Sequence, residues 1–244
     1  MNNYKMVIQY DGTRYKGWQR LGSQENTIQG KLEQVLTKLE GKEIEIIGSS
    51  RTDAGVHAYG QVANVKLSKP RSSEELQRYV NQYLPHDISV VEVKKVDDRF
   101  HARYNAKDKT YLYQIWNKSY TNPFLRKFSM HVNDRLSLEE MKKASTYFIG
   151  KHDFTAFSNA KSKKKSMKRT IRSVDIDEAD GLLSIRIVGD GFLYHMVRKM
   201  IGTLIEVGLG EKQANEVADI LQTKDRSRVG FAEAQGLHLE KIEF

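Results

Sequence analysis

The sequence predicts a mixed α+β fold made of two ferredoxin-like halves, each a split βαβ arrangement with an antiparallel sheet. Three observations predict it. The first hundred residues spell strand, helix, strand, strand, helix, strand. The residues after Lys109 roughly repeat that order, and the strands alternate in polarity while the helices carry apolar residues every three or four positions. The halves divide at 1–104 and 105–244, their sheets are expected to join, and a cleft is expected between them.

Tyr4 to Tyr10 alternates as a strand and Asp11-Gly12 turns the chain. Ile28, Leu32, Val35, Leu36 and Leu39 then recur at helical spacing, with Gly41 placed as a C-terminal cap. Glu43 to Ile47 and Gln61 to Leu67 read as strands. Ser72 and Glu75 form a capping box for a helix that lines up Leu76, Tyr79, Val80 and Tyr83 before Pro85 stops it. Ile88 to Val96 closes the first half.

Asp97 to Asp108 is a polar connector, and Lys109 to Trp116 is a strand with Tyr111, Tyr113 and Ile115 on one side. Ser137 and Glu140 cap a helix bearing Leu138, Met141, Ala144 and Phe148, which Gly150 ends. Asp180-Gly181 is a hairpin turn into the strand Leu182 to Val188. Phe192 to Val207 is apolar around most of its circumference, so that helix should be buried. A helix over Lys212 to Leu221 and a strand from Leu237 to Phe244 complete the chain.

At 244 residues the chain can bury a substantial core, and 39% hydrophobic with 29% charged residues is an ordinary globular composition. The absence of cysteine excludes disulfides, iron–sulfur clusters, thiolate zinc sites and cysteine nucleophiles. No leader-like N-terminus and no apolar stretch of roughly 18 residues is present, so a cytoplasmic protein without membrane association is expected. The net charge of +9 favours a polyanionic partner, nucleic acid foremost. Histidines 57, 86, 101, 131, 152, 195 and 238 show no close ligand spacing, and the glycines match neither a Walker nor a dinucleotide pattern. No metal and no cofactor is expected.

The segment Gly48 to His57 is the most unusual, a loop of small and polar residues of the kind that presents side chains. Asp53 has Arg51 two residues before it and Gly55 two after, a setting for an ionised carboxylate acting as nucleophile or general base. From spacing alone Asp53 can equally be a turn cap with Arg51 as its surface partner. Arg51-Thr52-Asp53-Ala54-Gly55-Val56-His57-Ala58 resembles the signature of the TruA family of tRNA pseudouridine synthases. Tyr10-Asp11-Gly12, Gly17-Trp18-Gln19, Phe100-His101-Ala102-Arg103, Lys109 to Tyr113, Gly150 to Phe154 and Gly191 to Arg198 extend the likeness in collinear order.

The resemblance implies a cofactor-independent isomerase that converts uridine to pseudouridine in the tRNA anticodon stem-loop, at positions 38–40, working as a homodimer. It implies Asp53 as the nucleophile, Tyr111 stacking on the extruded base, Arg198 as a cation within an apolar helix, and Leu237 closing the base pocket. Asp53 is the carboxylate it supplies for Arg198, which by helical geometry can instead snorkel to water. For Tyr111 the residue-level alternative is a tyrosine packed in the core. Lys161, Lys163, Lys164, Lys165, Lys168 and Arg169 form a basic run suited to phosphates, with Arg14, Arg20 and Arg103 as further RNA-contact candidates. Two departures stand out: Ser50 where the family often has glycine, and 228–236 without the proline often found there. The competing readings are a non-catalytic RNA-binding or tRNA chaperone protein and an RNA hydrolase. A carboxylate among phosphate-seeking arginines gives a pure binder no advantage.

Overall fold

The computed structural model describes residues 2–20, 22, 26–160 and 166–244, and these divide into two compact units, 1–107 with 238–244 and 108–237. The last seven residues thus group with the first unit.

In the first unit β1 (Asn2–Tyr10), α1 (Ile28–Glu40), β2 (Ile47–Gly48), β3 (His57–Leu67), α2 (Ser73–Tyr83) and β4 (Ile88–Val96) follow the expected order. Strand β1 lies between β3 and β4, antiparallel to both, and β2 pairs with the far edge of β3. The final strand, β10 (Leu237–Glu243), runs parallel to β3 through His238 opposite His57 and Leu239 opposite Ala58. The alternation of β1 buries Tyr4, Met6 and Ile8 completely, and Leu32 and Leu36 of α1 are likewise fully buried. Gly41 caps α1 at φ 71°, and Ser72 caps α2 by accepting from the Glu75 amide.

The expected strand Glu43 to Ile47 survives only as Ile47–Gly48. Its alternation has another cause. The Ile44 amide donates to Thr37 Oγ1 at 3.1 Å and the Ile46 amide to Glu33 Oε1 at 3.0 Å, so α1 side chains take the hydrogen bonds a neighbouring strand would have taken.

The second unit contains β5 (Asp108–Trp116), β6 (Met130–His131), α3 (Leu138–Thr146), β7 (Gly150–Asp153), β8 (Lys168–Ala179), β9 (Leu182–Gly189), α4 (Met196–Gly208) and α5 (Glu216–Thr223). The order β5-β9-β8-β7 is antiparallel throughout, with β6 added parallel to β5. Strands β5, β9 and β8 repeat the neighbour relations of β1, β3 and β2, which is the internal repeat expected from the element order. Phe148, Phe154 and Phe157 meet in a fully buried cluster. Asp180 and Gly181, at φ 53° and 87°, make the tight turn from β8 to β9.

Several boundaries differ from the sequence reading: β3 begins at His57 rather than Gln61, and α3 ends at Thr146, so that Phe148 lies beyond the helix and Gly150 opens β7. Lys168 and Arg169, the end of the basic run, are the first residues of β8, paired with Asp153 and His152 of β7. The charge-rich sequence of β8 conceals a strand whose outward face is solvated. Helix α4 begins at Met196 because His195 sits at φ 65°, so Phe192 to His195 precede the helix. Helix α5 begins at Glu216, four residues later than expected. Helix α4 is buried almost all round, as its composition demands. Among the described residues no helix is long and apolar enough to cross a membrane.

Candidate active site

The loop carrying Asp53 joins β2 to β3, and its shape comes from the two short segments that follow β1. Trp18 N–H donates to the Thr52 carbonyl at 3.0 Å, Tyr10 OH meets Thr52 Oγ1 at 2.8 Å, and the Gly12 amide donates to His57 Nδ1 at 3.1 Å. Within the loop the Val56 amide donates to the Asp53 carbonyl at 3.2 Å, forming a tight turn with Gly55 at φ 79°. The loop is therefore held from both sides, and Asp53, half-buried, sits at its bend.

Three glycines make this packing possible. A Cβ on Gly12 would stand 1.9 Å from the Val56 carbonyl oxygen, one on Gly17 2.5 Å from the Thr52 carbonyl oxygen, and one on Gly48 2.4 Å from the Trp18 indole nitrogen. The separate motifs Tyr10-Asp11-Gly12, Gly17-Trp18 and the Asp53 loop are one structure. Gly12→Ala, with no relief available from backbone atoms, is expected to destabilise the protein by about 2 kcal/mol or more. A thermal melt of the variant checks this.

Arg51 is exposed and forms no ion pair with any described residue, so the hold on Asp53 that sequence proximity suggested does not come from it. Ser50 fits without strain: its amide donates to Gln61 Oε1 at 3.3 Å and its carbonyl accepts from Gln61 Nε2 at 2.7 Å.

In the second unit Tyr111, only 5% exposed, lies on β5 with its ring edge-on to Phe192 at 5.1 Å. Phe192 can make this contact because the chain there has not yet entered α4. Arg198, half-buried on the first turns of α4, does not reach out along the helix surface. Its Nε donates to the Ala232 carbonyl at 2.8 Å and its guanidinium lies over the Phe231 ring at 4.0 Å. The Ala232 amide returns a bond to the Arg198 carbonyl at 3.0 Å. The segment 229–232 is thus a bracket for Arg198.

Sequence reasoning registered this segment only as a departure from the family pattern and missed Phe231. The signal was Gly230-Phe231, a small residue beside an aromatic one opposite Gly202. Phe231→Leu removes a cation–π contact of about 0.5–2 kcal/mol, and a several-fold fall in kcat/KM with little change in melting temperature is the expected result.

Tyr113 prepares the position of Leu237. Its hydroxyl donates to the Glu233 carbonyl at 2.8 Å, and its ring lies where a Cβ on Gly236 would approach to 2.6 Å. Burial, then the Glu233 carboxylate, pushes the Tyr113 phenol far above its ordinary range, so it remains a donor. Leu237 emerges from this turn 5% exposed.

The basic candidates differ in what they already bind. Arg14 is 72% exposed but grips Asp87 through Nε and Nη2 at 2.9 and 2.6 Å, with that hydrogen-bonded carboxylate holding its guanidinium above the usual range. Arg20 bridges Glu33 at 2.9 Å and Glu43 at 3.3 Å, pinning the chain beside α1. Arg103 is exposed beside the stacked His101 and Tyr104 rings. Lys161, Lys163, Lys164 and Lys165 lie outside the described residues.

The family described as tRNA pseudouridine synthase matches residues 6–105 and 144–244. The chain is 66% identical over 244 residues to "tRNA pseudouridine synthase A" of Bacillus sp. (strain KSM-64), covering 100% of both. It is 58% identical over 245 residues to "tRNA pseudouridine synthase A 2" of Bacillus anthracis, again covering 100% of both. With "tRNA pseudouridine synthase A" of Thermoanaerobacter pseudethanolicus it shares 46% identity over 245 residues and 99% of each chain. A solved chain from "Crystal Structure of a Cbf5-Nop10-Gar1 Complex" is matched at a TM-score of 0.40 and 11% identity, over 97% of this chain and 48% of that one, too slight a likeness to bear on function. With a presented aspartate in a glycine-packed loop and full-length relatives at these identities, the chain belongs to the tRNA pseudouridine synthase family.

Proposed function

We propose that this isomerase of the tRNA pseudouridine synthase family converts uridine to pseudouridine in the anticodon stem-loop of tRNA, at positions 38–40, with Asp53 as its nucleophile. The observation that carries the reading is the Asp53 loop itself: a carboxylate at a bend that Tyr10, Gly12, Trp18 and His57 hold in place. Such preorganisation serves chemistry better than it serves phosphate binding.

The reaction breaks the bond between N1 of uracil and C1′ of ribose, turns the base and joins C5 to C1′. The C5 proton leaves and N1 regains one, so atoms and oxidation state balance without a cofactor. Asp53 forms the covalent adduct that lets the base detach, Tyr111 offers an aromatic wall to the extruded uracil, and Leu237 adds an apolar surface that retains it. Arg198 supplies positive charge, aimed by its Ala232 and Phe231 contacts, and Arg51 remains a further catalytic-loop cation. Arg14, Arg20, Arg103, Lys163, Lys164 and Lys165 are assigned to the RNA surface, with Arg103 favoured by its exposure. The family resemblance supports a homodimer acting in the cytoplasm.

The test is release of tritium from tRNA labelled at C5 of uridine. The wild-type protein is expected to release it from the anticodon stem-loop in step with pseudouridine formation. Binding without release across a full tRNA pool would replace this reading with that of a non-catalytic RNA-binding protein.

A further inference from the structure

Between β5 and β6 the chain makes an ordered loop, Asn117 to Ser129, that nothing in the chemistry above uses. It lies in the stretch between the two segments matched by the family. Its backbone is well satisfied. Trp116 Nε1 donates to the Tyr120 carbonyl at 2.7 Å, and Asn122 Oδ1 accepts from the amides of Phe124 and Leu125 at 3.0 and 3.3 Å. The Leu125 carbonyl accepts from the Phe128 and Ser129 amides at 2.8 and 2.9 Å, and His131 Nε2 meets the Lys118 carbonyl at 2.8 Å. Arg126 folds back to donate to the Pro123 carbonyl.

On this firm base two rings face solvent: Phe124 is 89% exposed and Tyr120 62%. Leaving large apolar rings in water on an otherwise hydrogen-bonded loop points to a partner. The charge along the loop itself says which kind. From Asn117 to Asn133 there is no carboxylate, while Lys118, Arg126, Lys127 and His131 all fall within that span. Aromatic rings interleaved with cations suit nucleobases and phosphates together. A second copy docking through this same face would set its own cations against them, which like-charge repulsion opposes.

We propose that the Asn117–Ser129 loop is an RNA-contact surface apart from the catalytic residues, on which Tyr120 and Phe124 stack on unpaired nucleobases of the substrate tRNA while Lys118 and Lys127 meet its phosphates. The proposal rests on tRNA being the substrate. Because the rings are exposed and Tyr120 and Phe124 enter the loop's hydrogen bonds only through their main chain, removing the rings leaves the fold standing.

The experiment compares wild type, the double variant Tyr120→Ala/Phe124→Ala, Phe124→Trp and Lys127→Glu, using a full-length tRNA transcript at fixed salt. Equilibrium binding, KM and kcat for tritium release, and sedimentation velocity are measured on each. For the double variant, which removes two stacked bases at roughly 1–3 kcal/mol each, Kd and KM are expected to rise about 30-fold or more, with the loss falling on KM and sedimentation unchanged. Phe124→Trp should hold wild-type affinity, since any large ring stacks. Lys127→Glu should weaken binding and flatten its salt dependence.

Unchanged Kd and KM in the double variant would overturn the proposal. So would a shift to smaller species on sedimentation with binding lost in parallel, which would make the loop a contact between copies. If wild type binds tRNA but releases no tritium, the isomerase assignment fails while the binding comparison still decides the loop's role.

Discussion

Asp53→Asn is expected to bind tRNA as tightly as wild type and to release C5 tritium at least about 10³-fold more slowly. The substitution exchanges one oxygen for an amide nitrogen of nearly the same size. The loop should keep its shape, because the bonds that define it run through the Thr52 carbonyl and hydroxyl, the Gly12 amide, the His57 ring and the Asp53 main chain. An amide is a poor nucleophile at neutral pH, so the chemical step loses its agent while the scaffold remains. Binding should not suffer, since a carboxylate repels phosphates and its removal takes away only that repulsion. Turnover within about tenfold of wild type would remove Asp53 from the chemistry. A parallel loss of binding and of melting temperature would make it a structural turn residue instead.

Gly202→Ala should lower both stability and activity, against what helix propensity alone suggests. Glycine inside α4 costs about 1 kcal/mol relative to alanine, so a local argument forecasts stabilisation. The crossing reverses the sign. A Cβ at Gly202 would lie 2.3 Å from the Phe231 nitrogen and 2.5 Å from the Gly230 carbonyl carbon, and one at Gly230 would lie 2.5 Å from the Gly202 carbonyl carbon. These are backbone atoms of the bracket, so relief requires the segment to move away from α4. Overpacking of this kind costs about 1–3 kcal/mol or more, leaving a net loss. The displaced segment carries the Ala232 carbonyl and the Phe231 ring that aim Arg198. A lower melting temperature together with a drop in kcat/KM beyond that of Phe231→Leu is therefore expected. A variant more stable than wild type would show that the crossing is looser than its geometry implies.

The residues that bind catalytic shape to sequence were legible where the constraint is local. The Asp53 loop announced itself through a run of small residues, and Gly12, Gly17 and Trp18 were readable as motifs, though not as its supports. Reading them as supports requires knowing that β1 and β3 are neighbours. Arg51 illustrates the reverse. Closeness in sequence suggested that it pairs with Asp53, whereas successive residues of a turn point in different directions and leave Arg51 in solvent.

By itself the sequence determined the α+β class, the order of the helices and strands in the first unit, the caps at Gly41 and Ser72, the Asp180-Gly181 turn and the burial of α4, because each follows from periodicity or from the conformational range of a few adjacent residues. Only the tertiary structure decided that Glu43 to Ile46 bonds to α1 instead of forming a strand, that Lys168 and Arg169 open β8, that Phe192 stands outside α4 and beside Tyr111, and that Phe231 and Ala232 hold Arg198. Each of those outcomes is a choice among partners distant in sequence. Hydrogen-bonding groups and charges are satisfied by whichever partner the folded chain brings nearest, which no local pattern specifies.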